Sequence, residues 1–71
     1  MLNLKPGDLV YYVDRALGRN YASTKHAGLV LSVRKTSNRR THKIKWTGQA
    51  ETMWYDVLNL IRVSEHNDAN V

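Results

Sequence analysis

The fold of this chain is decided by the stretch Lys43-Ile-Lys-Trp-Thr-Gly-Gln-Ala-Glu-Thr-Met-Trp-Tyr55. Ile44 and Trp46 alternate with the two lysines, so they point to one side of an extended chain while the lysines point to the other. Residues 47–50 include a glycine and provide a tight connection, and residues 51–55 form a second short run with strand-favouring aromatic residues. Two such runs around a Gly-containing turn predict a β-hairpin with one buried face.

Two more strands are predicted upstream of this hairpin. Pro6-Gly7 forms a turn ahead of Leu9–Val13, a run of apolar, aromatic and β-branched residues. The run His26–Lys35 is apolar on both faces in its middle, which is typical of a strand that bends sharply and serves two sheets. Gly28 in this run would allow the bend or a close approach of a neighbouring strand.

The segments between these strands are rich in turn and loop residues. Residues 14–25 show neither the helical nor the strand period, and they are predicted to form a long loop from which Leu17 or Tyr21 folds back onto the core. Residues 36–41 are predicted to form a polar turn, with Asn38 in the left-handed backbone conformation.

The C-terminal part is predicted to close the fold. Residues 56–59 suit a single helical turn capped by Asp56, since four residues are too few for a stable α-helix. Residues 60–63 suit a short closing strand. The sequence therefore predicts an all-β fold of five strands with one short 3-10 turn before the last strand, organised as one domain over residues 1–63 and a flexible tail over residues 64–71.

Size and composition limit the kind of protein this is. The chain has 71 residues, 42% of them apolar and 24% charged, which predicts one soluble domain whose small core leaves homo-oligomerisation open. It contains no cysteine, which excludes disulfides, thiolate metal sites and a cysteine nucleophile. No apolar run approaches the ~20 residues that span a bilayer, and the N-terminal residues lack the apolar region of a secretory signal. We expect a cytoplasmic protein with no membrane partner.

The positive charge is concentrated in one segment. Six of the eleven basic residues lie within positions 34–45, which contain no acidic residue, while the rest of the chain carries five basic and six acidic residues. Because each Lys or Arg that meets a phosphate releases condensed counterions, such a cluster suits nucleic acid or another polyanionic surface. The predicted nucleic-acid-binding residues are Arg34, Lys35, Arg39, Arg40, Lys43 and Lys45. The alternative is a solvated hairpin whose charges keep an edge strand from pairing with another chain.

Aromatic residues are the second candidate feature. Tyr11 and Tyr12 are neighbours, as are Trp54 and Tyr55, so one member of each pair is expected outside the core. We single out Tyr11, Tyr21 and Trp54 as residues that could stack on bases. The alternative is that the six aromatic side chains fill the core of a protein that has no phenylalanine.

Residue types used in catalysis and metal binding form no recognisable pattern. His26, His42 and His66 are scattered, and no set of histidines and carboxylates has the spacing of a zinc site. The serines lack a nucleophile-elbow context, and no Gly-rich phosphate loop precedes a helix. We therefore expect a non-enzymatic protein without cofactor or metal.

Five short motifs carry a resemblance to a known family. They are Pro6-Gly7-Asp8-Leu9-Val10, Gly28-Leu29-Val30, Lys43-Ile44-Lys45-Trp46, Trp54-Tyr55-Asp56-Val57-Leu58 and Leu60-Ile61-Arg62-Val63. With these motifs and this order of elements, residues 4–63 resemble the SH3-like small β-barrel superfamily, which includes Tudor, chromo-barrel and KOW domains. The resemblance implies a single five-stranded barrel. Many small proteins of tailed bacteriophages look similar, which implies a phage source and the host cytoplasm.

The superfamily's functions differ widely, so the resemblance implies a binding module without naming its partner. KOW-like and some Tudor-like barrels bind nucleic acid or ribonucleoprotein, Tudor and chromo-barrel domains cage methylated Lys or Arg, and SH3 domains proper bind Pro-rich peptides. A basic Pro-rich peptide is disfavoured because Arg15, Arg19 and Lys25 outnumber the single acid, Asp14, in residues 14–25. A methyl-lysine cage would need three or more aromatic side chains to converge.

Two functions are favoured over these alternatives. The first is sequence-nonspecific nucleic-acid binding through the basic hairpin, with a log-log salt slope of about −4 to −5 on duplex DNA if four to six cations contact phosphates. The second is a protein-interaction or structural module, such as a phage virion component or a host-protein adaptor, that accepts a partner strand at a barrel edge.

Overall fold

The computed structural model describes residues 3–14 and 21–65, which form a mostly β structure. The strands are β1 (Leu9–Asp14), β2 (Tyr21–Val33), β3 (Arg40–Trp46), β4 (Thr52–Asp56) and β5 (Leu60–Arg62), with 3-10 turns at Val57–Asn59 and Val63–Glu65. They make one antiparallel sheet in the order β4-β3-β2-β1-β5. The five strands and the 3-10 turn before the last one are as predicted. Within the described residues the edge strands β4 and β5 do not pair, so the sheet is open.

Strand β2 begins earlier than predicted. The segment 14–25 was expected to be a loop, and this is wrong for residues 21–25, which form the first part of β2 and pair with β1 through Asp14↔Tyr21 and Val13↔Ala22. The polar residues of this segment lack a strand pattern, but pairing with β1 satisfies their backbone hydrogen bonds and overrides the weak local preference. The expected packing of Leu17 and of the Tyr21 side chain lies outside the described residues.

Strand β2 bends and serves two neighbours, as predicted. Its first part pairs with β1 and its second part with β3, and residues 24–27 lie opposite Tyr11 alone, which makes a large bulge. Gly28 sits where the two pairings meet. A Cβ atom there would lie 2.5 Å from Ile44 Cγ2 and 2.6 Å from Trp46 Cε3, so the predicted close approach is present and involves side chains of β3.

The core lies on one face of the curved sheet. Its buried residues are Leu4, Val10, Val30, Ile44, Trp46 and Leu60, with Tyr55 and Val57 packed against them. Ile44 is fully buried and Trp46 is 7% exposed, whereas the lysines between and before them are only half-buried. This confirms the predicted alternation of β3.

The turns before and after β3 are closed in different ways. At the turn after β3, Gly48 has a φ of 83° and the Gln49 N–H donates to Trp46 O at 3.1 Å, which makes the predicted tight connection. Asn38 was expected in the left-handed conformation, and this is wrong, because no residue other than glycine in the described ranges has a positive φ. Its side chain closes the turn instead, with Oδ1 accepting a hydrogen bond from the Arg40 N–H at 2.8 Å.

The C-terminal elements begin with the predicted cap. Asp56 Oδ1 accepts a hydrogen bond from the Leu58 N–H at 2.9 Å and caps the first 3-10 turn. Strand β5 then pairs with β1 through Tyr12↔Leu60. The second 3-10 turn includes Glu65, and residues 66–71 of the expected tail lie outside the described residues.

Candidate nucleic-acid interface

The six cations predicted from the sequence lie on one structural unit, which we call the basic hairpin (residues 34–45). Arg34, Lys35, Arg39 and Arg40 are exposed in and beside the connection between β2 and β3, and Lys43 and Lys45 lie on the outer face of β3. The pleat of β3 produces this arrangement because the alternate positions are buried in the core. The hairpin therefore presents cations from its tip to the end of its second strand.

Trp54 lies on the same outer face, between two of these cations. Lys43 and Trp54 are directly opposed in the β3–β4 register, and Lys43 Nζ lies 6.0 Å from the centroid of the Trp54 ring. The guanidinium carbon of Arg34 lies 3.9 Å from that centroid, within the range of a cation–π contact. Arg34 Nε also donates to Arg40 O at 3.2 Å. These contacts hold Arg34 in place beside the ring.

Lys45 is held at the opposite end of β3. Its ammonium group donates hydrogen bonds to the carbonyl oxygens of Trp46, at 3.2 Å, and of Gln49. Two of its three N–H groups therefore bind the turn after β3. Lys45 therefore has fewer donors to offer a ligand than Lys35 or Arg39.

The basic hairpin forms no salt bridge within the described residues. In residues 3–14 and 21–65, no carboxylate lies within 4.0 Å of any of its six cationic groups. The salt bridges found there join Arg62 to Asp8 and to Glu65, each at 3.2 Å, at the β5 edge of the sheet. The Lys5 N–H, which donates to Asp8 Oδ2 at 3.0 Å, lowers the pKa of that carboxyl group, and Arg62 lowers it further. These salt bridges thus lie at the edge of the sheet away from the hairpin, whereas Asp56 of β4 stands opposite Arg40 in the register without forming a salt bridge.

An aromatic groove lies next to the hairpin. Trp46 Nε1 donates to Tyr55 Oη at 2.9 Å, and the two rings meet edge to face with centroids 5.6 Å apart. Tyr12 meets Tyr55 in the same way at 6.2 Å. Tyr12 and Tyr55, which we call the tyrosine pair, separate two hollows of about 420 and 470 Å³ that both residues line.

The three aromatic residues singled out from the sequence lie apart from this groove or at its border. Tyr11 is half-buried, Trp54 is half-buried beneath Arg34 and also borders the larger hollow, and the Tyr21 side chain lies outside the described residues. Tyr12 is 37% exposed and is more accessible than its neighbour Tyr11. Tyr12 and Tyr55 were not singled out from the sequence, because alternation along a strand does not show which of two neighbouring aromatic residues faces a hollow.

The histidines do not build a reactive centre in the described part of the chain. His42 is buried and its Nδ1 lies 2.7 Å from Thr41 Oγ1, whereas His26 borders the smaller hollow and His66 lies outside the described residues. No group of three or more His, Asp or Glu side chains within residues 3–14 and 21–65 is placed to hold a metal ion.

No helix in the described ranges has the length and apolar character needed to cross a membrane. Comparison with known proteins found no matching family model, no matching curated protein and no matching solved structure. The functional conclusion therefore depends on the geometry of the chain itself.

Proposed function

We propose that this protein is a non-enzymatic module that binds nucleic acid without sequence preference through the basic hairpin. The observation that carries the proposal is the placement of six cations on one hairpin with no carboxylate within 4.0 Å among the described residues. A polyanion approaching this surface meets an excess of positive charge and releases its counterions as phosphates are contacted. Phosphate contacts position the partner and do not read bases.

The cations contribute unequally to this proposed interface. Lys35, Arg39 and Arg40 are exposed, and their side chains can adapt to the spacing of phosphates. Arg34 is already ordered by Trp54 and by Arg40 O, so it loses less side-chain freedom on binding. Lys45, whose ammonium is bound to the turn, supplies mainly long-range attraction.

The proposal includes the SH3-like barrel as the scaffold. Its support is the connectivity: β1 lies between β2 and β5, the strands β2, β3 and β4 follow one another in the sheet, and a 3-10 turn joins β4 to β5. The long β2 belongs to both halves of the sheet. This arrangement exposes the β2–β3 connection, where the charge is concentrated.

A fluorescence-anisotropy titration with a labelled oligonucleotide tests the proposed function. We expect binding at low salt that weakens steeply as salt is added, and we expect Arg39→Glu with Arg40→Glu to reduce both the affinity and the salt slope, the slope by about 2. The matched control is Lys5→Glu with Lys25→Glu, which changes the net charge equally at exposed positions outside the hairpin. Binding weaker than millimolar at low salt, or equal losses in the two double variants, would overturn the proposal.

A second candidate function, binding of a protein partner, is favoured by the β4 edge. Strand β4 has no neighbour on its outer side among the described residues, and Met53 on it is 58% exposed. An extended segment of another protein, such as a virion subunit or a host protein, would pair with this edge and cover Met53. Met53→Lys should then abolish capture of that partner in a pull-down. A strictly monomeric protein in native mass spectrometry that retains nucleic acid alone would exclude this function.

A further inference from the structure

The larger of the two hollows adjoins the basic hairpin. Its walls include the tyrosine pair, Trp54, and the hairpin residues Arg39 and Arg40, and its volume is about 470 Å³. Aromatic rings, two arginine side chains and the Asp56 carboxylate therefore share its lining. Among the described residues, no Lys or Arg lines the smaller hollow beyond the tyrosine pair.

Three side chains with spare hydrogen-bonding groups also line the larger hollow. Asn38 Oδ1 accepts from the Arg40 N–H, Asp56 Oδ1 accepts from the Leu58 N–H, and Asn59 Nδ2 donates to Val13 O at 3.1 Å. Each of these bonds fixes the side chain to the nearby backbone. Asn38 Nδ2, Asp56 Oδ2 and Asn59 Oδ1 have no hydrogen-bond partner within the described residues, so the side chains that line the hollow retain an amide donor group, an amide acceptor and a carboxylate acceptor.

We infer that the nucleic acid is single-stranded and that one unpaired base enters this hollow. The inference rests on the proposed function and names its partner more closely. A base offers a ring face for stacking on Tyr12 or Tyr55 and polar edges for the spare groups of Asn38 and Asn59. Arg39 and Arg40 stand where the phosphates on either side of that base can be contacted.

A duplex does not fit the same arrangement. Its bases are stacked and paired, so their faces cannot reach rings that line a concave site, and only the phosphates remain available to the hairpin. Duplex binding would therefore use the cations alone. Single-stranded binding gains the stacking contribution in addition.

The experiment compares a labelled single-stranded 12-mer of mixed sequence with its own duplex, by anisotropy at one fixed salt concentration. We expect about tenfold tighter binding of the single strand. Tyr12→Leu should remove this preference and leave duplex binding unchanged, whereas Tyr12→Phe, which keeps the ring, should retain the preference. Tyr12 is suited to this test because it is 37% exposed and makes an edge contact with Tyr55.

A second measurement, on the unaltered protein, tests the inference even if Tyr12→Leu does not fold. Photocrosslinking of a single strand containing 5-bromodeoxyuridine, followed by peptide mass spectrometry, should place crosslinks at Tyr12, Trp54 or Tyr55. Crosslinks confined to other residues, or equal or tighter duplex binding, would overturn the inference and leave the proposed function standing. If neither oligonucleotide binds, both fail.

Discussion

The indole N–H of Trp46 donates a hydrogen bond to the hydroxyl oxygen of Tyr55 across the β3–β4 hairpin, at 2.9 Å. Trp46 is almost fully buried in the core, and Tyr55 borders both hollows of the aromatic groove. The bond and the edge-to-face contact of the rings thus tie the position of a groove residue to the packing of the core. The shape of the groove depends on the same side chain that anchors β3.

Tyr55→Phe should destabilise the fold while keeping the ring. Removing the hydroxyl leaves Trp46 Nε1 without its acceptor, and a polar group left unpaired in a mostly buried site costs about 1 to 3 kcal/mol. Urea denaturation should show a lower midpoint with an unchanged slope. Tyr12→Phe provides a comparison at a more exposed tyrosine, and an unchanged midpoint for Tyr55→Phe would contradict the assigned hydrogen bond.

Gly28→Ala should destabilise the core by overpacking. The added methyl group would lie 2.5 Å from Ile44 Cγ2 and 2.6 Å from Trp46 Cε3, and neither a fully buried isoleucine nor an indole ring in the core can move without displacing others. The expected loss of unfolding free energy is about 1 to 3 kcal/mol. Thr24→Ala, at an exposed position of the same strand, should change stability by less than about 0.5 kcal/mol. Equal losses of stability in the two variants would contradict the close approach of Gly28 to the side chains of Ile44 and Trp46.

Those parts of the fold that depend on local pattern could be predicted from the sequence. The alternation of Ile44 and Trp46 located β3 and its buried face, and Asp56 located the 3-10 turn because capping needs an acceptor beside the first free N–H groups. The start of β2 at Tyr21 could not be predicted, since it depends on pairing with β1 and not on the polar residues 21–25 themselves.

The candidate site was predictable in its charge but not in its contacts. The cluster at residues 34–45 is visible in the sequence, and the β pleat then places Lys43 on the outer face. The contact of Arg34 with Trp54 joins residues twenty positions apart and requires the β2–β3–β4 register. The groove beside Tyr12 requires the contact of Tyr12 in β1 with Tyr55 in β4, and the residues around either tyrosine give no sign of that contact.

Asp8→Asn should make stability less dependent on acid pH. The hydrogen bond from the Lys5 N–H and the nearby Arg62 guanidinium lower the pKa of the Asp8 carboxyl group below its ordinary value of 3.8 in the folded state. The carboxylate therefore stabilises the fold above that ordinary value, and this contribution is lost as the pH falls through the lowered folded-state pKa.

Thermal melts from pH 7 down to about pH 2 test the role of Asp8. The unaltered protein should melt higher than Asp8→Asn at pH 7, and the two curves should converge in acid. Glu51→Gln is the control, because Glu51 is exposed and forms no salt bridge among the described residues. A constant difference across the whole pH range would show that Asp8 acts through packing and not through its charge.

Arg34 and Trp54 should prove energetically coupled. Their contact at 3.9 Å predicts a coupling of about 0.5 to 1 kcal/mol in a double-mutant cycle of Arg34→Gln and Trp54→Leu, measured by urea denaturation. Lys35→Gln is the matched control, since it removes one positive charge from the adjacent position without a ring contact, and its effect should add to that of Trp54→Leu. Additivity of Arg34→Gln with Trp54→Leu in the urea measurements would mean that the ring does not hold the guanidinium group in solution.

In nucleic-acid binding, Arg34→Gln and Lys35→Gln should each reduce the salt slope by about 1, since each loses one phosphate contact. If the stability cycle shows additivity, Arg34 would contribute to binding in the same way as Lys35.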